Sequence, residues 1–145
     1  MQGPKKGNVT FSAERYSGLA GFRFALRSFL ASSEEICRQA GVTTTQYQAM
    51  LALGCSAELV SMKQLAEQLL LKHHSAVQLV DRLSNAGLVE RVVSERDARV
   101  ALVKLTAKGE SALEALAELH LAEMLKREPR LTSSLRLLRK QSNRI

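Results

Sequence analysis

A mainly α-helical chain carrying one small β-hairpin is the fold class this sequence predicts. Three observations predict it. Apolar residues recur at three- and four-residue steps through most of the 145 residues. The pattern changes to short β-branched runs only at 88–93 and 100–105. Helix start and stop signals stand at the boundaries, with glycines at 41, 54 and 87 and hydroxyl residues at 43, 61 and 106.

The first segment, 12–40, carries Leu19, Phe22, Leu26, Phe29 and Leu30 on a helical stripe. Ser12 is its expected N-cap, although Arg15 stands where a capping box has Glu. Gly18 and Gly21 each lower helix propensity by about 1 kcal/mol relative to Ala, and they admit close packing of another helix. Gly41 stands where a C-terminal cap belongs. Thr43, Thr44 and Thr45 precede a second helix, 46–53, with Tyr47, Met50 and Leu51 on its apolar side and Gly54 closing it. Ser61 caps a short helix, 62–69, carrying Leu65 and Leu69.

The next helix, 72–86, is two-faced. Ala76, Leu79, Val80 and Leu83 form its apolar side; Lys72, His73, Ser75, Gln78, Arg82 and Asn85 form the polar one, and Gly87 stops it. Two strands follow, joined by the charged run 94–99. No Asn-Gly or Asp-Gly pair marks the turn, so its type is open. Thr106 caps a long helix to about residue 127. Pro129 is expected to break it, because proline removes an amide donor and clashes with the preceding turn. Leu131, Leu135, Leu137 and Leu138 then suggest a last helix to about residue 140.

Composition excludes several classes. The chain is 46% hydrophobic, which fits a globular domain with a core. No apolar run approaches the roughly 20 residues of a membrane span. Residues 1–10 are polar and lack the apolar centre of a secretory signal, so they read as a flexible N-terminal tail of a cytoplasmic chain. Cys37 and Cys55 sit in no CxxC or Cys/His cluster and read as two buried free thiols, with a redox role as the alternative. No nucleophile–base pair, phosphate loop or metal spacing occurs, so neither catalysis, a cofactor nor a metal is expected. His73 and His74 point about 100° apart on a helix and lack a third ligand in register.

The net charge of +7 favours a polyanion partner. Much of it lies in the C-terminal segment, where Lys126, Arg127, Arg130, Arg136, Arg139, Lys140 and Arg144 face only Glu128. The more specific signal is the order of elements. Two adjacent short helices followed at once by a charged hairpin make a winged helix-turn-helix over 43–106, whose second helix is built to enter a DNA major groove. Lys72, His73, His74 and Ser75 stand at the start of that helix, Gln78 one turn on, and Arg82 beyond it. Such side chains donate to base edges and phosphates, and the helix N-terminus favours phosphate. Arg96 and Arg99 sit near the hairpin tip, where a narrow minor groove attracts a guanidinium. Asp97 is expected to pair with a neighbouring arginine and hold the loop, and Asp81 to form a salt bridge rather than face phosphate.

Four stretches resemble the MarR family of transcriptional regulators, in order and at compatible spacing. They are Val80-Asp81-Arg82-Leu83, Gly87-Leu88-Val89-Glu90-Arg91, Asp97-Ala98-Arg99 and Leu105-Thr106. The resemblance extends over nearly the whole chain. It implies one domain over 11–145, with 11–41 and 107–145 as dimerisation helices around the winged module. It further implies a homodimer on a palindromic operator in double-stranded DNA, more often a repressor than an activator. Arg99 falls on the wing arginine of the minor groove, and Asp81 and Arg82 on a pair that links recognition helix to wing. The paired histidines depart from the small Ser or Thr usual at that helix start. A small aromatic or anionic ligand is a further implied partner, with Phe22, Tyr47 and Met50 as candidate pocket residues.

Two rival readings remain at this level: a winged-helix module that binds protein, and a ligand sensor without DNA recognition. From 61 to 110 the sequence holds eight Lys/Arg against six Asp/Glu, a modest excess. DNA binding would weaken steeply with salt, which separates it from both.

Overall fold

The computed structural model describes residues 9–142, with side chains from residue 13. Eight elements follow in order: α1 (Val9–Gln39), α2 (Thr44–Gly54), β1 (Val60–Ser61), α3 (Met62–Gln68), α4 (His73–Asn85), β2 (Val89–Val93), β3 (Ala101–Leu105) and α5 (Ala107–Ser142). The mainly helical class with a small β wing is what the sequence predicts. Two compact units divide the chain. One comprises 34–120; the described part of the other comprises 9–33 and 121–142.

The unit 34–120 is the winged module. Thr43 and Ser61 each close a full capping box, with Gln46 and Gln64 returning a side-chain acceptor to the cap amide. The face of α4 read as apolar is the buried one, with Ala76, Leu79, Val80 and Leu83 packed against Met50, Leu65, Val89 and Val103. The sheet has a strand the sequence pattern did not show. β1 is only two residues long, too short for a period to register, and it pairs with β3 through Val60↔Val103 and Ser61↔Leu102. β3 is therefore central, in the order β1-β3-β2, all antiparallel.

Glycines at 41 and 87 end α1 and α4 in the left-handed region, at φ +77° and +74°. Gly54 acts differently: it is the last residue of α2, and a Cβ there would lie 2.5 Å from Leu113 Cδ2. The turn between α3 and α4 holds Leu70 at φ +54° with 93% of its surface exposed. This is a strained position for a branched side chain. Cys55 is exposed, contrary to the expectation of two buried thiols, because it stands beyond the last turn of α2; Cys37 is buried.

In the unit of 9–33 and 121–142, helix α1 begins at Val9. Ser12 is thus inside the first turn rather than the cap, and the tail expected over 1–10 already turns helical at Val9 and Thr10. Residues 1–8 of that tail, and Arg144, lie outside the described residues. α5 runs through Pro129 without a break. The proline still removes one backbone bond, but packing on both sides of it holds the helix. A Cβ at Gly21 would meet Ser134 Oγ at 2.7 Å, and one at Gly18 would meet Leu138 at 3.0 Å. Arg127 donates to Ser32 at 2.8 Å and Gln141 to Glu14 at 2.6 Å. Arg127, and after it Lys126, holds the Glu123 carboxyl below the usual carboxylate range. Among the described residues no helix is long and apolar enough to cross a membrane.

The tightest packing in the module is at Gly109, where an added Cβ would lie 1.9 Å from the Leu88 carbonyl oxygen. Neither backbone has a flexible end that can give way. Gly109→Ala is expected to destabilise the fold by about 3 kcal/mol or more, read as a lowered midpoint in urea unfolding.

Candidate nucleic-acid interface

α4 presents its polar face to solvent. His73, His74, Gln78 and Arg82 are exposed and Ser75 is half-buried. His74, Gln78 and Arg82 recur at four-residue steps and so stand on one stripe. Lys72 is the N-cap residue itself, in extended backbone, and its side chain makes no capping bond. The helix start therefore offers amide donors alongside a lysine and two imidazoles.

The wing loop, 94–100, is held by its own short side chains. Ser94 Oγ accepts from the amides of Arg96 and Asp97, each at 3.3 Å. Asp97 Oδ1 accepts from the Arg99 amide at 3.0 Å and from Arg99 Nε at 3.3 Å. Backbone bonds between Ser94 and Val100, and from the Val100 amide to the Asp97 carbonyl, complete the turn. This leaves the Arg99 side chain 91% exposed, with only its Nε engaged. Arg96 is also exposed.

Asp81 accepts from Arg91 of β2, which ties the exposed side of α4 to the root of the wing. Sequence reasoning placed this link on Asp81 and Arg82. The geometry assigns the cation to Arg91 instead, because Arg82 lies on the exposed stripe one residue away. Arg91 stood in a quoted motif, but its spacing from Asp81 gives no sign that the two meet.

One cleft joins these parts. Its volume is about 390 Å3, and it is lined by Ser61, Met62, Lys63, His73, Val77, Arg99, Val100 and Ala101. The start of α4 and the wing arginine thus share a single concavity. Lys63, which the sequence reading left out, belongs to it as well.

The candidate ligand residues fall in different units. Phe22 is half-buried in the helical unit. Met50 has no exposed surface and fills the core of the winged module. The Tyr47 ring stacks on His120, with centroids 4.0 Å apart, and burial, with a smaller effect of Cys37, pushes its hydroxyl pKa up. His120 Nδ1 lies 2.7 Å from the Leu116 carbonyl oxygen, so this nitrogen carries the proton, and Nε2 lies 3.9 Å from Cys37 Sγ. Among the described residues no three His, Cys, Asp or Glu are grouped to hold a metal.

Residues 40–100 match the model of the MarR family. Over that stretch the chain is similar to the MarR family. Solved structures agree with it in fold. Apo MarR from E. coli superposes with a TM-score of 0.68 at 22% identity, over 83% of this chain and 92% of that one. YusO from Bacillus subtilis gives 0.69 at 19% identity, over 96% and 99%. The DNA complex of MepR from S. aureus gives 0.65 at 20% identity, over 82% and 96%. No curated protein matches the sequence.

The wing loop depends on one carboxylate. Asp97→Ala should speed hydrogen exchange at the Arg99 and Val100 amides. Because the pair is exposed, unfolding stability should change by no more than about 1 kcal/mol.

Proposed function

We propose that this protein is a sequence-specific DNA-binding transcriptional regulator. It acts as a homodimer on a palindromic operator, and as a repressor. The observation that carries the reading is the shared cleft: His73 of α4 and Arg99 of the wing line one concavity, with the exposed His74, Gln78 and Arg82 stripe on the same helix. A duplex takes a helix in its major groove and a guanidinium in the neighbouring minor groove. Two relatives of this fold are solved on DNA, MarR from E. coli on its operator and MepR from S. aureus.

The dimer is supported by apolar surface in the helical unit. Tyr16, Leu19, Phe24, Leu30, Leu121 and Leu125 are all exposed there, and apolar surface on this scale marks an interface. Release by a small aromatic or anionic ligand completes the reading. It is supported by the family resemblance and not by site geometry, since Tyr47 and Met50 are buried side chains.

One observation favours the rival protein-binding module. Residues 34–120 hold nine Lys/Arg against eleven Asp/Glu, so the winged module has no basic excess of its own. Selection of bound sequences from a random duplex pool separates the two. Enrichment of a palindrome is expected; no enrichment would overturn the DNA reading.

On the selected duplex, Arg99→Ala should weaken binding by about 1–3 kcal/mol, roughly fivefold to 150-fold. The same variant should sediment as the wild type does. Unaltered mobility-shift titrations would remove Arg99 from the interface.

A further inference from the structure

The cleft that joins α4 to the wing has a lining of two kinds. Met62, Val77, Val100 and Ala101 supply apolar surface, and Lys63, His73 and Arg99 supply polar nitrogen groups. No carboxylate lines it. Another cavity of the same module is the reverse. It is lined by Glu58, Glu110 and Glu114, and its one cation, Lys104, is paired with Glu90 at 3.1 Å. The module is thus near neutral as a whole while its charge is sorted between clefts.

An apolar lining beside the cations Lys63 and Arg99 suits a ligand with a carbon body and an anionic edge. In a duplex, that unit is the deoxyribose with its phosphate. The Lys63 side chain is exposed and has no ion-pair partner among the described residues, and Arg99 commits only its Nε to Asp97. Lys63 sits on α3, outside both the recognition helix and the wing, yet the fold brings it beside residues of each.

We propose that this cleft seats one sugar–phosphate unit of the duplex, with Lys63 as its phosphate ligand. The proposal rests on the DNA-binding reading above. A phosphate contact positions the protein without reading bases. Its loss therefore weakens binding to every sequence alike and removes about one released counterion from the salt dependence.

The test compares wild type, Lys63→Met and Lys104→Met on the selected duplex and on a scrambled duplex of equal length, across a salt series. Methionine keeps an unbranched apolar stem and removes the charge, and circular dichroism melting checks that each variant folds. Lys63→Met is expected to lose affinity for both duplexes by the same factor, on the order of tenfold, the size of one charge-assisted hydrogen bond. Its log–log salt slope should become shallower by about 1. Lys104→Met, in the acidic cavity, should match wild type. A Lys63→Met protein with wild-type affinity and slope overturns the proposal while leaving the DNA reading intact. A loss confined to the selected duplex also overturns it, since that would make Lys63 a base reader. A wild-type protein that binds neither duplex overturns the DNA reading itself.

Discussion

The winged module depends on one close approach, that of the first turn of α5 to the backbone that leaves α4. Gly109 lets the helix press on the Leu88 carbonyl, where any side chain would collide. Thr106 works on both sides of the contact. Its amide donates to Leu88 O at 3.1 Å and its hydroxyl to Gly87 O at 2.6 Å, while the same oxygen accepts from the Gly109 amide at 3.0 Å. Lys108 adds a bond to Ala86 O at 2.8 Å. The end of α4, the start of β2 and the exit of β3 are thereby tied at one point. Since both strands of the wing leave from there, the junction sets where Arg99 stands relative to the start of α4.

Two carboxylates then orient two arginines, and neither carboxylate lines the cleft to which Arg99 belongs. Asp81 fixes Arg91 at the root of the wing and Asp97 fixes Arg99 near its tip. Exposed pairs of this kind stabilise by only about 0–1 kcal/mol, so their contribution is direction rather than stability. They also account for why net charge is a poor guide to this protein. Of the acids that lower the overall charge of the module, Asp81 and Asp97 hold arginines in place, and Glu58, Glu110 and Glu114 line a separate cavity. The basic excess lies on the other unit, where it follows α5 towards its end.

That helical unit shows how packing overrides local preference. A proline in mid-helix costs about 3 kcal/mol, yet α5 is continuous through Pro129. The small residues Gly18, Gly21 and Ser134 let α1 and α5 approach closely on one side of it, and the Arg127–Ser32 and Gln141–Glu14 bonds flank it along the helix. Breaking the helix would give up all of these contacts to relieve one ring clash and one unpaired carbonyl. The same reasoning applies to Leu70, whose left-handed backbone is kept because the flanking helices are anchored by Leu65 and Ala76, both buried.

By itself the sequence determined what depends on neighbours along the chain. The caps at Ser61 and Thr106, the stops at Gly41 and Gly87, and the buried face of α4 were all legible, because capping and helical periodicity act within a few residues. The hairpin was legible from its β-branched runs, and the family resemblance from four motifs in register. Tertiary structure decided the rest: the strand β1, the unbroken α5, the role of Gly54, the exposure of Cys55, the burial of Met50, and the choice of Arg91 rather than Arg82 as partner of Asp81. The winged helix-turn-helix order was readable, but the cleft between its helices and wing was not. It is assembled from Lys63, His73 and Arg99, which belong to three different elements, and only the folding of those elements onto one core brings them together.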